Sequence, residues 1–295
     1  MNKRSDNRYP DAQETIPSII PAYVLTPTIF CAIINTEEVV KGVKSMKNEY
    51  FYDIERIKEI LLGSEYAVFF GGAGVSTDSG IPDFRGNGGL YDTDDDSESN
   101  EYYLSRECLL REPEKFFEFF QNNMTFDYAE PNDAHIALAR LEERGIIKAV
   151  ITQNIDGLHQ KAGSRRVIEL HGTSGRFYCS RCGKVYSPED VRAKDSVPRC
   201  NVCGAVVRPD VTLYGEALDG YNYADAEEEI SKADVLIVGG SSLVVHPAAS
   251  LIDVFQGEQL IIINYSKTPY DALAEYVVRE SISEVLEALA EELDC

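Results

Sequence analysis

The chain of 295 residues carries 50 acidic against 28 basic side chains, a net charge of −22. That balance argues against nucleic acid as the main partner, because phosphate binding rests on clustered cations; it either favours a basic, lysine-rich polypeptide through long-range attraction or simply keeps the chain soluble. An apolar fraction of 44% is that of a globular protein with a sizeable core.

Residues 1 to about 45 hold neither a helical nor a strand period for long and are read as an N-terminal extension, with Met46 as the candidate true start. The apolar run "IPSIIPAYVLTPTIFCAII" at 16–34 is interrupted by Pro17, Pro21 and Pro27, which break a spanning helix. Asp6, Asp11 and Glu14 precede it without a small-residue cleavage site, so neither a signal nor a membrane anchor is expected.

From Asp53 the pattern sharpens. Ile54, Ile57, Ile60 and Leu61 share one helix face that Gly63 ends, and "YAVFF" reads as a buried strand. "PNDAHIALARLEERG" is a capped helix ending at Gly145. "IIKAVIT", "RVIEL", "DVLIVGG" and "LIIIN" are further strands, and Ser281 with Glu284 makes a capping box for a last helix. Apolar strands alternating with helices imply an α/β protein whose parallel sheet is covered on both faces. In such sheets ligands bind beyond the carboxyl ends of the strands. Two segments break the alternation: 87–130, with the acidic run "YDTDDDSESNEYY" and the aromatic helix "PEKFFEFFQNNM", and 174–209, which holds four cysteines. Both read as insertions that build a second, smaller domain on a large one made of 46–86, 131–173 and 210–295.

The chemistry-bearing strings sit at strand ends. Gly72-Ala73-Gly74 follows "YAVFF" as a turn that lets backbone amides approach a pyrophosphate. The third glycine of a dinucleotide fingerprint is missing, and no acidic residue closes the second strand, which argues against a hydride-transferring dehydrogenase. Gln153, Asn154 and Asp156 leave "IIKAVIT" together, as an ordinary turn or as a pocket that hydrogen-bonds an amide. His171 ends another strand beside Gly172, where an imidazole can take a proton near neutral pH. Cys179, Cys182, Cys200 and Cys203 form two C-x-x-C-G knuckles that suit a tetrahedral, closed, structural zinc. A redox dithiol needs only one such pair. Thiols used in this way belong to a reducing compartment, hence a cytoplasmic location. Cys31, Cys108 and Cys295 read as bystanders. "RPDVTLYGEAL" is either a plain connecting strand or one whose backbone pairs with an extended peptide. Gly240, Ser241 and Ser242 offer a second phosphate or ribose contact, and the Asn264 amide a ribose contact.

Taken together, "GAGVSTDSGIPDFRG", "TQNIDGLH", "HGT", the four cysteines, "RPDVTLYGE" and "SSLVVHPAA" resemble, in order over 46–295, the sirtuin family of NAD-dependent protein deacylases. The resemblance implies a Rossmann-type large domain and a small domain of zinc and helical modules, with NAD and acyl-lysine meeting between them. It implies that Ala73, Thr77 and Arg85 contact the cofactor beside Gly72 and Gly74, and that Phe84 shields the reacting sugar carbon. Ser76, Asn154, Ile155 and Asp156 would line the nicotinamide pocket. Gln153 and His171 would face the ribose hydroxyls, and Gly240, Ser241, Ser242, Asn264, Tyr265 and Ser266 the adenosine half. Val211, Leu213, Tyr214, Gly215 and Glu216 would meet the peptide. The implied chemistry displaces nicotinamide by the acyl oxygen, with His171 as general base, and ends in free lysine and O-acyl-ADP-ribose. Relatives that remove succinyl or malonyl groups carry a tyrosine and an arginine where Phe120 and Asn123 stand, so acetyl or other neutral acyl groups are expected. A protein mono-ADP-ribosyltransferase on the same fold and a non-catalytic zinc-ribbon binding module are the competing expectations.

Overall fold

A computed structural model describes residues 46–83, 100–192 and 197–293. The chain divides into two units, Met1–Lys47 and Asn48–Cys295. The N-terminal extension, its apolar run 16–34, and the expected cofactor residues Phe84 and Arg85 lie outside the described residues.

Helix α1 (Met46–Gly63) leads into strand β1 (Ala67–Gly71), and α2 (Arg106–Arg111) and α3 (Pro113–Asn123) follow. Next come α4 (Asp133–Glu143), β2 (Ile147–Thr152), α5 (Leu158–Ala162) and β3 (Val167–Glu169). After β4 (Gly172–Cys179), β5 (Val185–Tyr186) and β6 (Val207–Val211), the chain continues through α6 (Gly220–Lys232), β7 (Val235–Gly239), β8 (Gln259–Ile263), β9 (Tyr276–Val278) and α7 (Ile282–Glu292). The main sheet runs β3-β2-β1-β7-β8-β9 with parallel pairing throughout. This is the Rossmann-type doubly wound arrangement, whose winding reverses between β1 and β7.

Strand alternation sends neighbouring side chains to opposite layers. Ala67 and Phe69 join α1, α4 and α7 through Ile57, Leu138 and Leu286. Val68 and Phe70 join α6 and the 248–254 segment through Ile230 and Leu251. Full burial of each such side chain is worth about 1.5–3 kcal/mol. A third core unites the two insertions: Phe116, Phe117 and Phe120 of α3 pack with Phe177, Val207 and the buried cysteines Cys179 and Cys200. Those cysteines belong to the antiparallel sheet β5-β4-β6, or its immediate flank. The strand expected from Arg208 onward ends at Val211, because the chain turns back at Gly215, and the edge strand β9 carries no signal of its own in "YVV". Among the described residues, no helix is long and apolar enough to cross a membrane.

Candidate active site

Two turns meet where the sheet winding reverses. Gly72 donates to the Gly239 carbonyl at 3.1 Å, and Gly74 to the Gly240 carbonyl at 2.8 Å. A Cβ on Gly74 would stand 2.8 Å from the Gly240 Cα, and Gly240 itself has φ 58°, so neither position accepts another residue without strain. The amides of Gly72 and Gly74 are thus already engaged in joining the ends of β1 and β7, where these glycines permit close backbone approach. The Ala73 amide meets no acceptor among the described residues, so it is the donor the turn leaves for an anion.

Beneath this turn lies a polar cluster. Ser76 is buried; its Oγ donates to Asp156 Oδ2 at 2.7 Å and accepts from Asn154 Nδ2 at 3.0 Å. The second Asp156 oxygen accepts the Leu158 amide at 2.9 Å, and burial pushes the carboxyl above its ordinary value. The Ile155 carbonyl is held by the amide and hydroxyl of Ser174. Gln153 bridges the two turns by donating to Ser241 Oγ at 2.9 Å. His171 Nδ1 lies 2.8 Å from the Gln153 carbonyl. A carbonyl only accepts, so Nδ1 carries the proton and Nε2 of the neutral ring keeps its lone pair. Burial holds the His171 pKa below its ordinary value, the hydrogen bond to Gln153 partly opposing it, which keeps the ring neutral near pH 7.

Ser76, Gln153, Asn154, Ile155, Asp156, His171 and Ser241 line one cleft of about 510 Å³, together with Thr77, Gly240, Ser242, Asn264, Tyr265 and Ser266. Asn264 Nδ2 donates to the Ser266 carbonyl at 2.8 Å, and Arg279 Nη1 clamps the carbonyls of both residues at 2.8 Å. Val211, Leu213, Tyr214, Gly215 and Glu216 form another wall. Much of the backbone on this wall is already paired within the chain. The Tyr214 amide donates to the Leu104 carbonyl and its carbonyl accepts from Arg106, while Val211 is already laddered to Gly172. In this stretch Gly215 is the residue whose two backbone groups meet no partner among the described residues. Phe120 and Asn123 also line the cleft, and Phe120, 1% exposed, serves the small core as well. Sequence reading missed Ile81, Phe126, Val245 and His246 in the same wall. It also missed His135, whose Nε2 lies 3.5 Å from Ser76 Oγ. The one signal for His135 is its place three residues after the cap Asn132.

The four cysteine sulfurs all lie within 4.8 Å of one another. The Cys179–Cys203 and Cys182–Cys200 separations are 3.4 and 3.6 Å, close to the ~3.8 Å edge of a tetrahedron with Zn–S bonds of about 2.3 Å. Each knuckle turns alike: Gly183 donates to the Cys179 carbonyl and Gly204 to the Cys200 carbonyl. The Tyr186 hydroxyl donates to Cys200 Sγ at 3.1 Å and favours its thiolate. The donor set fits a structural zinc.

The Sir2 family model matches residues 72–247. A NAD-dependent protein deacetylase of Clostridium tetani is 51% identical over 241 residues, 81% of this chain and 98% of the relative. That of Clostridium acetobutylicum is 50% identical over 238 residues, 80% and 97% of the two chains. A solved Sir2 bound to acetylated peptide superposes with a TM-score of 0.73 at 39% identity, covering 82% of this chain and 98% of its own. A Sir2 homologue–NAD complex does so with 0.73 at 37%, covering 81% and 93%.

Proposed function

The chain belongs to the Sir2 family, and from that membership and the cleft geometry we propose that it removes acetyl or other neutral acyl groups from protein lysines at the expense of NAD. The observation that carries this reading is the His171–Gln153 contact, which ties up Nδ1 and leaves a neutral, partly buried imidazole with Nε2 free among the described residues in the cleft wall. When bound, NAD supplies a ribose carbon that exchanges nicotinamide for the acyl oxygen of the lysine amide, and a hydroxyl that carries the acyl group away. His171 Nε2 takes the proton of that hydroxyl. Ser76, Asn154 and Asp156 form a mutually hydrogen-bonded set with donors and acceptors for a carboxamide. The Ala73 amide and Ser241 and Ser242 serve the phosphates and the adenosine ribose, with Asn264, Tyr265 and Ser266 beside them. Phe120 and Asn123 leave no cation for an acidic acyl group, which supports the neutral-acyl specificity. Cys179, Cys182, Cys200 and Cys203 hold a zinc whose closed thiolate shell makes it structural. Reduced thiols in this role support a cytoplasmic setting.

Mass spectrometry of the products from acetyl-, succinyl- and long-chain acyl-lysine peptides with NAD tests this. Free lysine, nicotinamide and O-acyl-ADP-ribose are expected from the neutral acyls. Faster succinyl removal would overturn the acyl assignment, and ADP-ribosylated protein without free lysine would make the enzyme a transferase to protein instead.

A further inference from the structure

Between the zinc-bearing sheet and the cleft lies a partly buried ion pair. Arg208 stands on β6 opposite Tyr178, next to the pairing of Val207 with Cys179. At the far end of the same ladder Gly172 pairs with Val211, and Thr212 donates to the His171 carbonyl at 2.9 Å. Arg208, 9% exposed, donates through Nη1 and Nη2 to the two oxygens of Glu216 at 2.6 and 2.8 Å. Nη2 also donates to the Val211 carbonyl at 2.8 Å and Nε to the Pro209 carbonyl at 3.3 Å, and the Tyr178 ring lies 5.7 Å away. Glu216 in turn accepts the Leu213 amide at 3.0 Å, while its own amide closes a turn onto the Leu213 carbonyl. The segment from 208 to 216 is thus closed into a ring whose tip, Gly215 (φ 83°), lies in the cleft wall with its backbone groups free of partners among the described residues.

Glu216, expected to meet the peptide, therefore has its carboxylate committed elsewhere. A fork-to-fork guanidinium–carboxylate pair fixes two planes at once, which a lysine ammonium does not. We propose that Arg208 is a positioning residue for the peptide substrate: it latches Glu216 and so holds Gly215 where an extended acyl-lysine chain pairs with it. The idea rests on the deacylase reading. It concerns the peptide rather than NAD, because the cofactor-side groups at Ser76, Asn154 and Gln153 are held by hydrogen bonds of their own.

Steady-state kinetics on an acetyl-lysine peptide test the latch, using wild type, Arg208→Met, Arg208→Lys and Glu216→Gln, with zinc content measured for each. The KM for peptide should rise about tenfold in Arg208→Met and less in Arg208→Lys and Glu216→Gln, while the KM for NAD stays within about twofold. Equal rises in both KM values, or a fall in kcat with peptide KM unchanged, would overturn it. Should Arg208→Met fail to fold, the other two variants decide the matter by the same two constants. An inactive wild type would instead fell the deacylase reading, and the latch with it.

Discussion

A partly buried histidine serves as a base only if one nitrogen is free and the resting ring is neutral, and His171 meets both conditions through separate causes. The Gln153 carbonyl selects the tautomer, and burial depresses the pKa from its ordinary 6.5. The sign follows directly: the neutral ring is the working form, so a lowered pKa extends activity toward acid. A profile of kcat/KM for peptide against pH should place its acid limb below 6.5, and His171→Ala should remove turnover while leaving NAD binding largely intact. A limb centred above 6.5, or ordinary turnover by the alanine variant, would contradict the assignment. Residues of this kind were legible because polar groups at the ends of apolar strands stand out. The free Ala73 amide was not, since only the packing of Gly74 on Gly240 decides which amides of the turn remain available.

Helices α4 and α5 meet through a pair of histidines, of which only His135 carries a local signal, its place after the cap Asn132. The His135 and His159 rings lie 4.7 Å apart, and neither nitrogen of His159 has a hydrogen-bond partner among the described residues. Burial lowers the His135 pKa from 6.5 to about 4; burial, then the charge of His135, lowers that of His159 to about 3. Both groups bind protons more readily unfolded than folded, so their stabilising contribution is complete above pH 6.5 and is lost as pH falls toward 4 and below. Denaturant unfolding should therefore show a loss on the order of a few kcal/mol across that window, at about 1.4 kcal/mol per pH unit for each group. His159→Leu should flatten the slope relative to wild type; an unchanged slope would mean that the ring is solvated. The same scale shows where elements were and were not readable. Strands β1, β2, β7 and β8, buried along almost their whole length, appear as continuous apolar runs. In the sheet β5-β4-β6 only the β6 segment reads as a strand, because β4 mixes buried and exposed positions without a clean period and β5 is two residues long.

On the scale of the whole molecule the two substrates feel opposite fields. The chain carries −22, and among the described residues the cleft is lined by Asp78, Asp83, Asp156, Glu216 and Glu280 with no lysine or arginine. NAD is an anion, so its phosphates approach against this field and are held by short-range donors such as the Ala73 amide. A peptide rich in lysine and arginine approaches with it. Composition alone left a basic partner and mere solubility as equal readings of the charge, whereas the acidic character of the cleft required knowing which residues the fold gathers there. Salt separates the two effects, since screening contracts from about 10 Å at 0.1 M to about 3 Å at 1 M. As sodium chloride is raised, the KM for a basic acetyl-lysine peptide should increase and the KM for NAD should decrease. An acidic peptide of the same length should follow NAD rather than its basic counterpart. If all three constants move in one direction, the field of the protein does not select its substrate, and recognition of the lysine rests on the contacts of the cleft alone.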